Sequence, residues 1–124
     1  MIVSMDKMLM FVGALMGGVG VGIGAFGAHG LRGRLSPEML AVFETGVRYQ
    51  MYHALAIVAT AVLMSRSEGR ALMVGGWSFF IGILLFSGSL YALALTGVAT
   101  LGAITPIGGV AFLIGWVCLA IAAF

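Results

Sequence analysis

After Arg70 the chain carries no Asp, Glu, Lys, Arg or His as far as residue 124. A soluble domain needs about a quarter of its residues charged to solvate its surface. No water-soluble fold hides so long an uncharged stretch, whereas two membrane spans of about 20 residues each account for it directly. The rest of the chain agrees: 62% of the 124 residues are hydrophobic and 8% charged, and the mean hydropathy is +1.19. The expected fold class is therefore all-α: an integral membrane protein with four transmembrane helices in an antiparallel bundle, forming one domain over residues 1–124.

The first span is expected at residues 8–30. It is rich in glycine, which water would not tolerate in a helix. In hydrocarbon the backbone must satisfy its own hydrogen bonds, so the helix forms regardless. Lys7 before the run resembles a signal peptide's basic start, but the run is longer than such a core and further spans follow, so it reads as a retained span. Gly13 and Gly17, Gly18 and Gly22, and Gly20 and Gly24 are spaced i, i+4, a small-residue pattern that lets another helix come close. Either a neighbour in the same chain or a second copy could occupy that face, and self-association is expected through these small-residue rows, so that Gly18→Leu or Gly22→Leu should disrupt a close helix contact.

Residues 31–35 form a short loop with Arg32 and Arg34. Ser36-Pro37-Glu38 is a helix start, with a capping hydroxyl, proline at the first helical position and an acid in the first turn. Leu40, Phe43, Val47, Met51 and Ala54 fall on one side of the helix that follows. Glu44, Thr45, Arg48, Tyr49, Tyr52 and His53 fall on the other. The second span is expected at 50–64, extended backward to 37 by an amphipathic interfacial segment; a separate surface helix with a bend near Gly46 is the alternative. The third and fourth spans are expected at 71–95 and 106–124, the last opening on Thr105-Pro106 with the same capping signature as Ser36-Pro37. Lys7, Arg66 and Arg70 on one side of the membrane balance Arg32, Arg34 and Arg48 on the other. Discounting Arg48 as internally paired favours a cytoplasmic N-terminus; insertion in both directions is the other reading.

Chemistry concentrates in residues 44–53. Glu44 and Arg48 lie one helical turn apart in the favourable order, and Tyr49 and His53 have the same spacing. The bland reading is an interfacial arginine beside an aromatic belt. The functional reading is a binding pocket of Glu44, Arg48, Tyr49, Tyr52 and His53, joined by His29 from the end of the first span. His29 and His53 lack a metal-ligand spacing, and no metal, cofactor or catalytic constellation is expected. Lone Cys118 reads as a small buried hydrophobe. Ser87-Gly88-Ser89 fits either a broken helix that offers backbone to a ligand or hydroxyls bonded to neighbouring turns. Membrane lipids are the expected partners, and no basic stripe points to nucleic acid.

The segments GAFGAHGL (24–31), TGVRYQMYHALA (45–56), FSGSLYALALTG (86–97) and LGAITPIGG (101–109) resemble, in order, the domain-of-unknown-function family of small inner-membrane proteins that contains YgdD and YwdK. The resemblance implies a multi-span protein of the cell inner membrane and supplies no catalytic or binding residues. Two functions then fit: a small homo-oligomeric transporter or channel, or a non-catalytic membrane factor that binds a lipid or quinone headgroup or assists assembly of a membrane complex. Arg48 is expected to bond to Glu44 or to a helix-end carbonyl. His29 and His53 are expected nearer the Arg32 loop than the Arg66 turn.

Overall fold

The computed structural model describes residues 2–124. Four long helices occur among the described residues: α1 (Met5–Gly30), α2 (Pro37–Met64), α3 (Arg70–Thr96) and α4 (Thr105–Ala122). No strand occurs among the described residues. Met5–Gly30, Arg70–Thr96 and Ala99–Ala122 are long and apolar enough to cross a membrane. At 1.5 Å per residue, α1 is about 39 Å long, the thickness of a bilayer with much of its headgroup region. Much of the outer surface is apolar, with Phe11, Leu84, Leu113 and Val117 more than half exposed, as lipid contact requires.

The α2 start behaves as its sequence says. Ser36 Oγ accepts a hydrogen bond from the Met39 amide at 3.1 Å, and Pro37 occupies the first turn. The helix then continues unbroken to Met64, past Gly46. Gly46 serves close packing instead of a bend: a Cβ there would fall 2.7 Å from the Tyr91 ring. No break lays residues 37–49 flat in an interface, because Phe43 and Val47 already pack against Gly27 and Gly24 of α1.

Glycine sets the α1–α2 contact. Gly13 meets Val58 and Ile57, Gly17 meets Ala54, Gly20 meets Met51 and Gln50, Gly24 meets Val47, and Gly27 meets Phe43. Partner numbers fall as the glycine numbers rise. The same inverse register joins α3 to α4, where Gly75 meets Cys118, Phe79 meets Gly115, Gly82 meets Phe112 and Phe86 meets Gly108. A Cβ added at Gly18 or Gly22 would meet nothing within 4 Å, and both residues lie on the exposed side of α1. Within one chain, then, the contact row is Gly13, Gly17, Gly20, Gly24 and Gly27, and Gly18 and Gly22 take no part in it.

Two further features differ from the sequence expectation. Residues 83–87 of α3 wind as a π-helical turn, which inserts one residue into the helix. At the start of α4, Thr105 does not cap. The 3₁₀ turn Ala99–Ala103 runs almost directly into the helix, and the Ile104 carbonyl accepts from the amides of Ile107 and Gly108. The Thr105 hydroxyl is thereby left to bond Ser89 Oγ across the helix pair at 2.6 Å.

Candidate functional site

The polar residues of α2 divide between two surfaces. Phe43, Gly46, Gln50, His53, Ala54, Ile57, Thr60 and Ala61 are buried, a stripe at helical spacing that turns inward. Glu44, Arg48, Tyr49 and Tyr52 remain on the exposed side. Sequence spacing groups His53 with Glu44; the structure places it in the core. The Trp116 indole N–H donates to His53 Nε2 at 3.1 Å, so that nitrogen is an acceptor and the proton of the neutral ring is on Nδ1. From there it is donated to the Tyr49 carbonyl at 2.7 Å. The ring stacks on Phe112 with centroids 3.5 Å apart and planes 6° apart. Both nitrogens are thus occupied and one face is covered, which leaves no free lone pair for a metal or a ligand. Along α2, His53 is nearer Met64 than Pro37, so it does not lie toward the Arg32 loop as expected. His29 does, exposed in the last turn of α1.

Gln50 is the interior residue that sequence reasoning passes over. It is 3% exposed. Its Nε2 donates to the Met16 carbonyl of α1 at 2.8 Å, and its Oε1 accepts from the Tyr91 hydroxyl of α3 at 2.7 Å. One side chain therefore ties three helices. A step away, Ser87 Oγ donates to the Gly46 carbonyl at 2.7 Å, and Ser89 Oγ bonds the Phe86 carbonyl and Thr105. Ser87-Gly88-Ser89 is thus spent on neighbouring turns and helices. Among the described residues no buried side-chain polar atom lacks a partner. The signal that could have revealed Gln50 is its place midway between Gly46 and Ala54 on the inward stripe.

On the other surface an opening of about 220 Å³ lies between α1 and α2, lined by Gly24, Gly27, Ala28, Phe43, Glu44, Val47 and Arg48. The small residues of α1 make its floor, Phe43 and Val47 its apolar wall, and the two charges its polar edge. Arg48 does not bond to Glu44 or to a helix-end carbonyl. Its Nη2 donates to Thr45 Oγ1 at 3.2 Å, and that hydroxyl bonds back to the Ala41 carbonyl. Guanidinium offers five donors, so most remain free for another group. Tyr49 and Tyr52, ring centroids 5.8 Å apart, do not line this opening, and the Tyr49 ring packs instead on Phe86 of α3 and Phe112 of α4, with centroids 4.6 and 6.3 Å away. Of the six candidate residues, Glu44 and Arg48 share one cavity, Tyr49 packs toward α3 and α4, Tyr52 is exposed on α2, His53 is a core residue and His29 stands apart. No group of three or more metal-ligating side chains occurs among the described residues.

Long apolar helices with a satisfied polar interior define a helical membrane protein, and the comparisons with known proteins give it a family. The family described as "Protein of unknown function (DUF423)" matches residues 23–109. The chain belongs to this family. It is 48% identical over 118 residues to the UPF0382 membrane protein YwdK of Bacillus subtilis, covering 94% of this chain and 96% of that one. It is 50% identical to the UPF0382 membrane protein SAB0533 of Staphylococcus aureus, covering 95% and 96%. The UPF0382 membrane protein SERP0230 of Staphylococcus epidermidis is 51% identical over 116 residues, 94% of each chain. No solved structure matches.

Proposed function

We propose that this is a four-span protein of the cell inner membrane, without catalytic activity of its own, whose α1–α2 opening receives the headgroup of a membrane lipid. The fourth span is α2. Its inverse register against α1 from Phe43 to Val58 supports a crossing, because a bilayer that encloses α1 must enclose its neighbour over the same length. Glu38, Glu44 and Arg48 lower its hydropathy, and Gln50 and His53 satisfy their polar groups inside the protein. The α3–α4 pair continues the same alternation, which supports an antiparallel bundle.

One observation carries the lipid reading: a cationic side chain sits at an opening on the α1–α2 surface, and among the described residues its hydrogen-bond partner is a single hydroxyl. An arginine at membrane depth costs about 2.5–3.5 kcal/mol on the gentlest scale unless it reaches an anion. The phosphate of a lipid is the anion at hand. A solute pathway would have to form between copies, since the polar groups inside one chain are satisfied. The test is the lipid retained by the purified protein. Arg48→Ala is expected to shed phospholipid that the natural chain and Arg66→Ala keep. Equal retention in all three would refute the reading.

A further inference from the structure

We infer that the α1–α2 opening selects an ethanolamine phospholipid, with the phosphate on Arg48 and the ammonium on Glu44; this rests on the lipid reading above. The inference comes from the order of the charges. Glu44 precedes Arg48 on α2 and therefore lies nearer the Pro37 end, where the Arg32 loop meets the membrane surface. Arg48 lies one turn deeper, about 6 Å along the axis. In a phospholipid the phosphate is joined to glycerol and the amine is outermost. A lipid in the leaflet at this end would thus present phosphate to the deeper arginine and ammonium to the shallower glutamate, in register with both.

The remaining features of the cavity narrow the headgroup further. The five donors of Arg48, one of them on Thr45, leave enough for a phosphodiester held by two oxygens. Gly24, Gly27 and Ala28 present no bulk to the headgroup, and Phe43 and Val47 wall it with apolar surface. A primary ammonium donates hydrogen bonds to the Glu44 carboxylate. A trimethylammonium donates none and favours aromatic faces, of which the lining offers one, Phe43. A glycerol headgroup brings no cation, and its phosphate would leave Glu44 uncompensated. Arg32 and Arg34 are exposed and His29 lies beyond the lining. They attract anionic surfaces in general and do not replace the discrimination made by Glu44.

The experiment is native mass spectrometry of the purified full chain with equal amounts of phosphatidylethanolamine, phosphatidylcholine and phosphatidylglycerol. The ethanolamine lipid is expected to dominate the bound population by about tenfold, the size of one charge-assisted hydrogen bond. Glu44→Gln is expected to bring it down to the choline lipid's level. Ala28→Phe, which fills the opening without touching a charge, is expected to lower all three. Equal binding of the three lipids, or a preference indifferent to Glu44→Gln, would overturn the headgroup assignment; the groove itself would survive if Arg48→Ala and Ala28→Phe still stripped lipid. If neither of those variants changed retention, both readings would fall. Displacement of the bound lipid by soluble phosphoethanolamine at equal concentration would uphold the headgroup assignment and overturn the membrane lipid as its source, because acyl chains would then contribute nothing.

Discussion

Replacing Gln50 with Leu changes little in volume and removes two hydrogen bonds at once. One runs to the Met16 carbonyl and one from the Tyr91 hydroxyl. In a membrane interior such bonds average about 0.6 kcal/mol and reach about 1.7. The stranded Tyr91 hydroxyl adds the desolvation cost of an unsatisfied group, about 1–3 kcal/mol. Gln50→Leu is therefore expected to cost about 2–4 kcal/mol. Tyr91→Phe should cost about 1–2 kcal/mol, because it leaves Gln50 Oε1 without a donor. Together the two changes remove both halves of the shared bond and strand neither. The double variant should therefore be about 1 kcal/mol less destabilised than the sum of the singles. Reversible unfolding in mixed micelles, titrated with a denaturing detergent, measures all four corners of the cycle. Additivity within about 0.3 kcal/mol would refute the three-helix tie.

Gly108→Ala is expected to cost at least about 2 kcal/mol in the same assay, because its Cβ would fall on the Phe86 backbone, which cannot rotate away. Gly18→Ala, in open space, should stay within about 0.5 kcal/mol, and a large loss there would mean that this face is covered. In a Cys118→Ala background, Arg34→Cys and Ser67→Cys should be labelled by a membrane-impermeant thiol reagent from opposite sides of the membrane. Labelling from one side would remove α2 from the membrane. His53→Phe should keep the stack on Phe112 and lose the acceptor of Trp116, so about 1 kcal/mol of stability should go, with a shift in tryptophan emission.

The helices are legible in the sequence because their signals are local. The uncharged stretch after Arg70, the Ser36-Pro37 start and the polar turn near Arg66 each mark a boundary without reference to a neighbour. Which face of α2 turns inward is not legible, and the reason is physical. In water an apolar stripe marks the core, but in lipid both sides of a helix meet apolar surroundings and the pattern loses its sign. Gln50 and His53 point inward here because other helices satisfy them, while Leu55 is 65% exposed. The glycine rows are ambiguous for a related reason. Spacing i, i+4 occurs on more than one side of α1, and only the bulky partners Met51, Val58 and Phe43 decide which side is used. Glu44 and Arg48 stand out by their types, but their cavity depends on Gly24, Gly27 and Ala28 from another helix.

The π turn at Ile83–Ser87 has a consequence for how this chain can vary. An extra residue advances everything after it by about 100° around the helix axis. The half of α3 beyond the turn, with Tyr91 and Ala94, is thereby aimed at α2. Loss of a single residue from this turn would let the helix relax to regular winding, and Tyr91 would swing away from Gln50. Length in this short segment is therefore held more tightly than side-chain identity: Leu84 can become another lipid-facing residue, but it cannot be dropped. Comparable one-residue gains and losses in the loop between α1 and α2 would leave every helix in phase.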